Sequence, residues 1–455
     1  MDLNIIILAA GKGTRMRSKR PKVLHPLAGK PLLAHVIETA QALDPQRIVV
    51  VYGHGGETVP RALSGYPVQW VEQSEQLGTG HAVETAMAAL PTQGRVLVLY
   101  GDVPLIRHET LRDLLQGLDR TPLALLTAHL DDPSGYGRIV RNEQGDILRI
   151  VEQKDASDAE RRIEEINTGI LAAQGQALQR WLARLDNDNA QGEYYLTDVI
   201  ALAVAEGHRV ASSRAVHLWE ILGVNDKLQL AQLERRQQQN LAEALMRQGV
   251  SLADPARLDV RGRVETGRDV SIDVNVVLEG HCILGEDVYI GPNCLLRDVH
   301  LAAGVRIEAN SVLERCRVGR GCVIGPFARI RPDTELEDGA RVGNFVEIKK
   351  SRIGRDSKIN HLSYVGDSQV GQRVNIGAGT ITCNYDGANK HRTVIGDDAF
   401  IGSDSQLVAP VEVGAGATIG AGSTITSDAP AGELTLSRSK QRTIPGWQRP
   451  RKEER

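Results

Sequence analysis

Aromatic residues are scarce in this chain of 455 residues, only 4 % of the total. A formal net charge of -3 leaves no strong excess of either sign. Together these exclude the basic, ring-rich footprint of a nucleic-acid binder and give no sign of a membrane-binding surface. Small, repetitive packing accounts for the low aromatic count. Long apolar runs are also missing, and none approaches the roughly 20 residues that a membrane helix needs. The N-terminus MDLNIIILAAGKG has an acidic residue at its start and no small-residue cleavage site, so the expected location is cytoplasmic. Cysteine is rare too. Five are present, an odd number without CxxC spacing, which argues against a disulfide framework.

What the sequence has in abundance is a period of six. Aliphatic residues fall at Ile272, Leu278, Leu284, Ile290 and Leu296, again from Val318 through Ile324, Ile330, Leu336 and Val342 to Ile348, and finally from Ile395 through Ile401, Leu407, Val413 and Ile419 to Ile425. That period suits neither a helix nor a simple strand, and it indicates a parallel β-helix whose coils bury apolar faces only by stacking. Cys282, Cys294, Cys316 and Cys322 each precede a periodic aliphatic by two positions, where a coil needs a small inward residue. Cys383 lies off that phase, beside an insertion, and is the one cysteine the pattern leaves open to reactivity.

The first half reads differently. The apolar run LNIIILAA, residues 3–10, has the character of a buried parallel strand, and Gly11-Lys12-Gly13-Thr14-Arg15 follows it directly. This is not a P-loop, and Met16 replaces the third glycine of a dinucleotide fingerprint. Free amides with Arg15, Arg17 and Lys22 nevertheless gather cations at one strand end, as a phosphate requires. Strands RIVVVYG and RVLVLYGD alternate with helical patterns, which makes an α/β sheet with ligands beyond the carboxyl ends of its strands. Asp102 ends the latter segment as a hard oxygen donor suited to Mg²⁺. Between Asp226 and Gln248 a stretch without Gly or Pro reads as one long linking helix, its apolar ends (Leu228, Leu230 and Leu233; Leu241, Leu245 and Met246) docking on different domains.

The motifs LAAGKGTRM with a following PK, QLGTGHA, YGDVPL, GYGRIV, EINTGI and GVND resemble those of the sugar-nucleotide pyrophosphorylases. The hexads resemble the acyltransferase β-helices. Both halves in this order resemble the bacterial bifunctional family that acts as N-acetylglucosamine-1-phosphate uridylyltransferase and glucosamine-1-phosphate N-acetyltransferase. The resemblance implies a Rossmann-like α/β domain with a mixed sheet at 1–226, a linker helix at 227–249, and a left-handed parallel β-helix with a basic tail at 250–455. It also implies that Leu8, Ala9, Ala10 and Gly11 hold the nucleotide of UTP, with Tyr100 and Gly101, while Arg15 and Lys22 meet its phosphates. Gln73, Gly78 and Thr79 would read uracil, Asp102 and Asn225 would hold Mg²⁺, and Gly137, Glu152 and Asn167 would bind the sugar.

For the second half the resemblance implies His361 as general base toward glucosamine 1-phosphate, a task that suits a side chain whose ordinary pKa is near 6.5. Arg331 and Lys349 would clamp the sugar phosphate, Tyr364 and Asn375 would hold the ring, and Glu347 is expected to orient the histidine. Ala378, Asn384, Tyr385, Ser403, Ala421 and Arg438 would meet acetyl-CoA or substrate. Arg331, Lys349, His361, Tyr364, Asn375, Asn384 and Tyr385 are off the aliphatic phase and are expected to face outward. The insertion at 383–393 would leave the coil as a loop that reaches a neighbouring subunit of a homotrimer. A coil that served only as a scaffold would have no need of this polar cluster, nor a non-catalytic binding protein of the full GxGTR, PK and YGD set.

Overall fold

The computed structural model describes residues 2–450 and 452. By internal contacts the chain divides into two compact units, Met1–Gln237 and Gln238–Arg455. The basic tail beyond Arg438 falls partly outside the described residues, at Arg451 and at 453–455.

In the first unit a mixed sheet runs in the order Ala211–Arg214, Leu123–His129, Glu165–Gln174, Arg95–Tyr100, Leu3–Leu8, Arg47–Tyr52 and Gln69–Glu72. The three strands around Leu3–Leu8 are parallel, and register pairs Leu8 with both Val51 and Tyr100. Their carboxyl ends therefore finish at one level. Every residue of Leu3–Leu8 is buried, because both faces of the sheet are covered. Ile5 and Ile7 face one apolar layer with the helix Leu32–Gln41, while Ile6 and Leu8 face another with the helices Thr79–Met87 and Gly175–Leu182. Glu165–Gln174 is antiparallel to its neighbours, and its register shifts between Asn167 and Leu171. Asn167 still pairs with Thr127, and the irregularity, with Gly169 at φ 85, takes residues 168–170 out of the plain ladder just beyond it.

The second unit is a parallel β-helix of short strands. One column of register partners runs Ile272, Ile290, Ile307, Ile324, Val342, Ile359, Ile376, Ile401 and Ile419, one residue per coil. All of the periodic aliphatics are buried. Cys282, Cys294, Cys316 and Cys322 are buried among them, and burial pushes their thiols up. Serine and threonine fill the same inward positions in later coils, and the serines there satisfy themselves on backbone carbonyls. Ser351 Oγ donates to Lys349 O at 2.8 Å, and Ser357 Oγ to Gly371 O at 2.7 Å. Many corners are turned by Asn or Asp in the left-handed conformation, such as Asn275, Asn293 and Asn310. At three later corners the residues are Phe327, Phe345 and Leu362, with φ of 55, 56 and 47. Trimming one coil residue tests the stacking argument. Ile307→Ala, at a fully buried position, is expected to lower unfolding free energy by ~2–5 kcal/mol, read by denaturant titration.

The helix Lys227–Arg247 contributes to each unit. In the first, Leu233 is buried with Met16, Leu27, Leu32, Leu105 and Val224. In the second, Ala242 and Leu245 join the core of the coils, and the buried Gln238 side chain accepts from Val260 N at 2.7 Å and donates to Val260 O at 2.9 Å. Leu228 and Met246, expected to dock, are exposed, since both stand off the buried stripe of the helix.

Candidate active sites

In the first unit the chain leaves Leu8 under close control. Ala9 N donates to Val51 O at 2.8 Å and Gly101 N to Leu8 O at 2.9 Å, which fixes the glycine loop over the strand ends. Met16, which displaces the third glycine of the familiar fingerprint, anchors that loop in an apolar cluster. Gly13 is required by the approach of Lys22, for a β-carbon at Gly13 would stand 2.7 Å from Lys22 Cβ. A cleft of about 380 Å³ results, bounded by Leu8, Ala9, Ala10, Gly11, Lys22, Gln73, Gly78, Thr79, Tyr100 and Asp102. Lys12, Gln76 and Glu193 also line it, and the sequence reading passed over them. Arg15 is exposed and stands off this wall, because its turn lies beyond the Gly13 contact.

Lys22 carries the electrostatic centre. Its ammonium pairs with Asp102 Oδ2 and lies 3.4 Å from Asn225 Oδ1. Asn225 is kept there by two bonds: Val224 N donates to Asp102 O at 2.9 Å, and Asn225 N to Gln229 Oε1 at 2.7 Å. Two hard oxygens thus converge on one cation, the donor chemistry Mg²⁺ prefers. Among the described residues no group of three or more His, Cys, Asp or Glu could hold a metal. A divalent ion here would complete its shell with water and substrate oxygens.

The three residues expected at the sugar, Gly137, Glu152 and Asn167, are also brought together. Asn167 N donates to Gly137 O at 2.8 Å, and a β-carbon at Gly137 would stand 3.3 Å from Glu152 Oε1. Thr197 Oγ1 donates to Glu152 at 3.2 Å, while burial pushes the Glu152 carboxyl up. Gly169 lies against the Tyr100 ring, at 2.6 Å from an added β-carbon, and Tyr100 is part of the cleft wall.

In the second unit, register explains the arrangement. Ile359, Ile376, Ile401 and Ile419 are successive partners, so His361, Ala378, Ser403 and Ala421, each two residues further on, form a column along one corner. Arg438 closes it, donating to Ala421 O at 2.9 Å. The next face carries Glu347, Tyr364 and Ile381 in register, and Lys349 is paired with Gly366 at its far margin, with Arg331 following Ile330 one coil earlier. Asn375 lies on the face before the corner, between Lys358 and Phe400.

Three expectations are corrected. Glu347 does not orient His361: it accepts from Arg331 at 2.8 Å, whereas His361 Nδ1 meets Asn344 Oδ1 at 3.1 Å, because Asn344 is its register partner on the adjacent coil. Asn384 is buried rather than outward, since its Nδ2 donates to Asp367 at 2.6 Å beneath the insertion. Cys383 is half-buried and burial pushes its thiol up, which makes it less reactive. The insertion itself is an ordered loop with Tyr385 bridged to Lys390, and Asp386 accepts from Ala388 N and Asn389 N. Sequence reasoning missed Lys390, whose ammonium lies beside that of Lys349 and depresses its pKa. Arg331 lowers the Lys349 pKa as well, so three cations gather there.

Comparison with known proteins follows the same division. The MobA-like NTP transferase domain matches residues 5–248, and the bacterial transferase hexapeptide model matches 263–298, 315–350 and 392–427. The molecule is a nucleotidyltransferase joined to a hexapeptide acetyltransferase. Similar proteins include the bifunctional protein GlmU of Alkalilimnicola ehrlichii, 60 % identical over 98 % of this chain and 96 % of that protein, and that of Ralstonia nicotianae, 58 % identical over the whole of both. The GlmU of Marinobacter nauticus is 58 % identical over 99 % of each chain. This chain belongs to the bifunctional GlmU family. Among the described residues no helix is long and apolar enough to cross a membrane.

Proposed function

We propose that the chain makes UDP-N-acetylglucosamine in two steps, acetylating glucosamine 1-phosphate from acetyl-CoA and then joining the product to UMP from UTP. The observation that carries this reading is that each unit holds its own built site, the Lys22, Asp102 and Asn225 centre in one and the His361 corner in the other.

In the acetyl step the substrate amine attacks the thioester carbonyl, the C–S bond breaks and CoA leaves as its thiol. With Nδ1–H donated to Asn344 Oδ1, the free Nε2 of His361 takes the proton that the amine loses and hands it to the departing sulfur. Arg331, Lys349 and Lys390 receive the sugar phosphate, Tyr364 and Asn375 hold the ring, and acetyl-CoA lies along the Ala378, Ser403 and Ala421 column with Asn384, Tyr385 and Arg438.

In the uridylyl step an oxygen of N-acetylglucosamine 1-phosphate attacks the α-phosphorus of UTP and the bond to pyrophosphate breaks. Positioning and charge neutralisation are the main catalytic contributions. Asp102 and Asn225 would hold Mg²⁺, which when bound would supply neutralisation of the phosphate charge. Lys22, and Arg15 once its exposed turn meets the nucleotide, bring the chain's own cations to the phosphates. Gln73, Gly78 and Thr79 read the base, and Gly137, Glu152 and Asn167 hold the sugar.

The enzyme acts in the cytoplasm, supplying precursors of peptidoglycan and lipopolysaccharide. It works as a homotrimer through its coils, and the exposed stack of Phe327 on Phe345, with ring centroids 5.3 Å apart, supports a covered face there. Full-length protein given UTP, Mg²⁺, acetyl-CoA and glucosamine 1-phosphate is expected to yield UDP-N-acetylglucosamine. Uridylylation of supplied N-acetylglucosamine 1-phosphate without any acetylation would reduce the coils to a scaffold.

A further inference from the structure

Gln73 lies just past the strand Gln69–Glu72, and it is 4 % exposed. Its Nε2 donates to Gly78 O at 3.1 Å and to His81 Nδ1 at 3.0 Å. Both amide hydrogens are thus used within the protein. Its Oε1 accepts from nothing among the described residues, and Gln73 lines the nucleotide cleft. An amide can be turned end for end at little steric cost, so what faces the cleft is decided by what faces its other side. Here that side presents two acceptors. Gly78 O can never donate, and His81 Nδ1 accepts in the tautomer that carries its hydrogen on Nε2.

The backbone around them is held firmly. Tyr194 N donates to Leu77 O and Gly80 N to Tyr194 O, both at 2.8 Å, and a β-carbon at Gly78 would stand 2.6 Å from Tyr194 O. His81 lies in the first turn of the helix Thr79–Met87, so its ring cannot drift independently of the segment that faces the base.

We infer that His81 is a positioning residue for base specificity: with Gly78 O it locks the Gln73 amide so that Oε1 points into the cleft and accepts a ring N–H. Uracil offers such a hydrogen at N3. Cytosine offers a lone pair there and is repelled. A site built around one hydrogen bond rejects the base that lacks it more strongly than shape alone can. This inference rests on the proposed uridylyl reaction.

The test compares UTP with CTP in steady-state uridylyl or cytidylyl transfer by full-length protein. His81→Leu, which leaves an amide hydrogen without its acceptor, is expected to raise KM for UTP about 10-fold with kcat within about 3-fold, and to lower the UTP to CTP preference about 10-fold. His81→Asn, whose Oδ1 can accept, is expected to restore most of that preference. An unchanged preference in a His81→Leu protein with normal melting would overturn the inference, and so would equal loss in the Leu and Asn variants. If His81→Leu does not fold, His81→Asn decides alone: a preference within about 3-fold of wild type supports the lock, and a larger loss overturns it. Gln73→Leu separates the two readings. Loss of preference there with none at His81 removes only the positioning role, whereas no loss at either residue removes the uracil site as well.

Discussion

Asp102→Ala is expected to lower uridylyl transfer by roughly 10³-fold while acetyl transfer stays within about 2-fold of wild type. Among the described residues the carboxylate is the only negative group paired with Lys22, and with Asn225 it supplies the two oxygens that converge on a cation. Alanine removes one of those oxygens and leaves the ammonium, whose side chain is 13 % exposed, next to a neutral amide. Pyrophosphate release measures the first reaction and free thiol the second. Chelation of divalent ions is expected to reproduce the selective loss in the wild-type chain. Near-normal pyrophosphate release from the variant would take Asp102 out of the metal site.

His361→Ala is expected to lower acetylation of glucosamine 1-phosphate by about 10²- to 10⁴-fold, the usual worth of a positioned general base. Uridylyl transfer to supplied N-acetylglucosamine 1-phosphate should continue normally. The fold should survive, because the His361 side chain is exposed at a corner and contributes nothing to the buried column through Ile359. Circular dichroism and sedimentation of the variant check that point. Acetylation at wild-type rate would place the base elsewhere, and unfolding or loss of the oligomer would make His361 structural.

The coils were legible because one residue in six must be aliphatic to fill them, and every member of that series is buried. The lining of the cleft was legible for a related reason: Leu8, Tyr100 and Asp102 are fixed by strand ends, and strand ends follow from apolar runs. What escaped was contact between coils. Asn344 meets His361, and Glu347 meets Arg331, because stacking makes neighbours of residues separated by a full turn. Nothing in a six-residue period says which outward side chain bends toward which. Asn384 escaped for a different reason, since an insertion can fold back over its own root and bury a residue that the phase places outside. Lys390 was invisible because a loop has no period at all. Arg15 was placed by its motif, and its side chain is exposed off the cleft wall.

The corner column also behaves as a graduated edge. Adjacent strands of a sheet are about 4.8 Å apart, so His361, Ala378, Ser403 and Ala421 mark off roughly 14 Å in three even steps. The insertion at 383–393 leaves the coil between the second and third marks, yet Ile376 still pairs with Ile401, so the spacing is preserved across it. Under the proposed function, an extended ligand along this edge would be gauged by the number of coils between its reactive end and Arg438. Adding or deleting a whole coil would alter reach in units of one strand spacing while leaving the chemistry at His361 untouched.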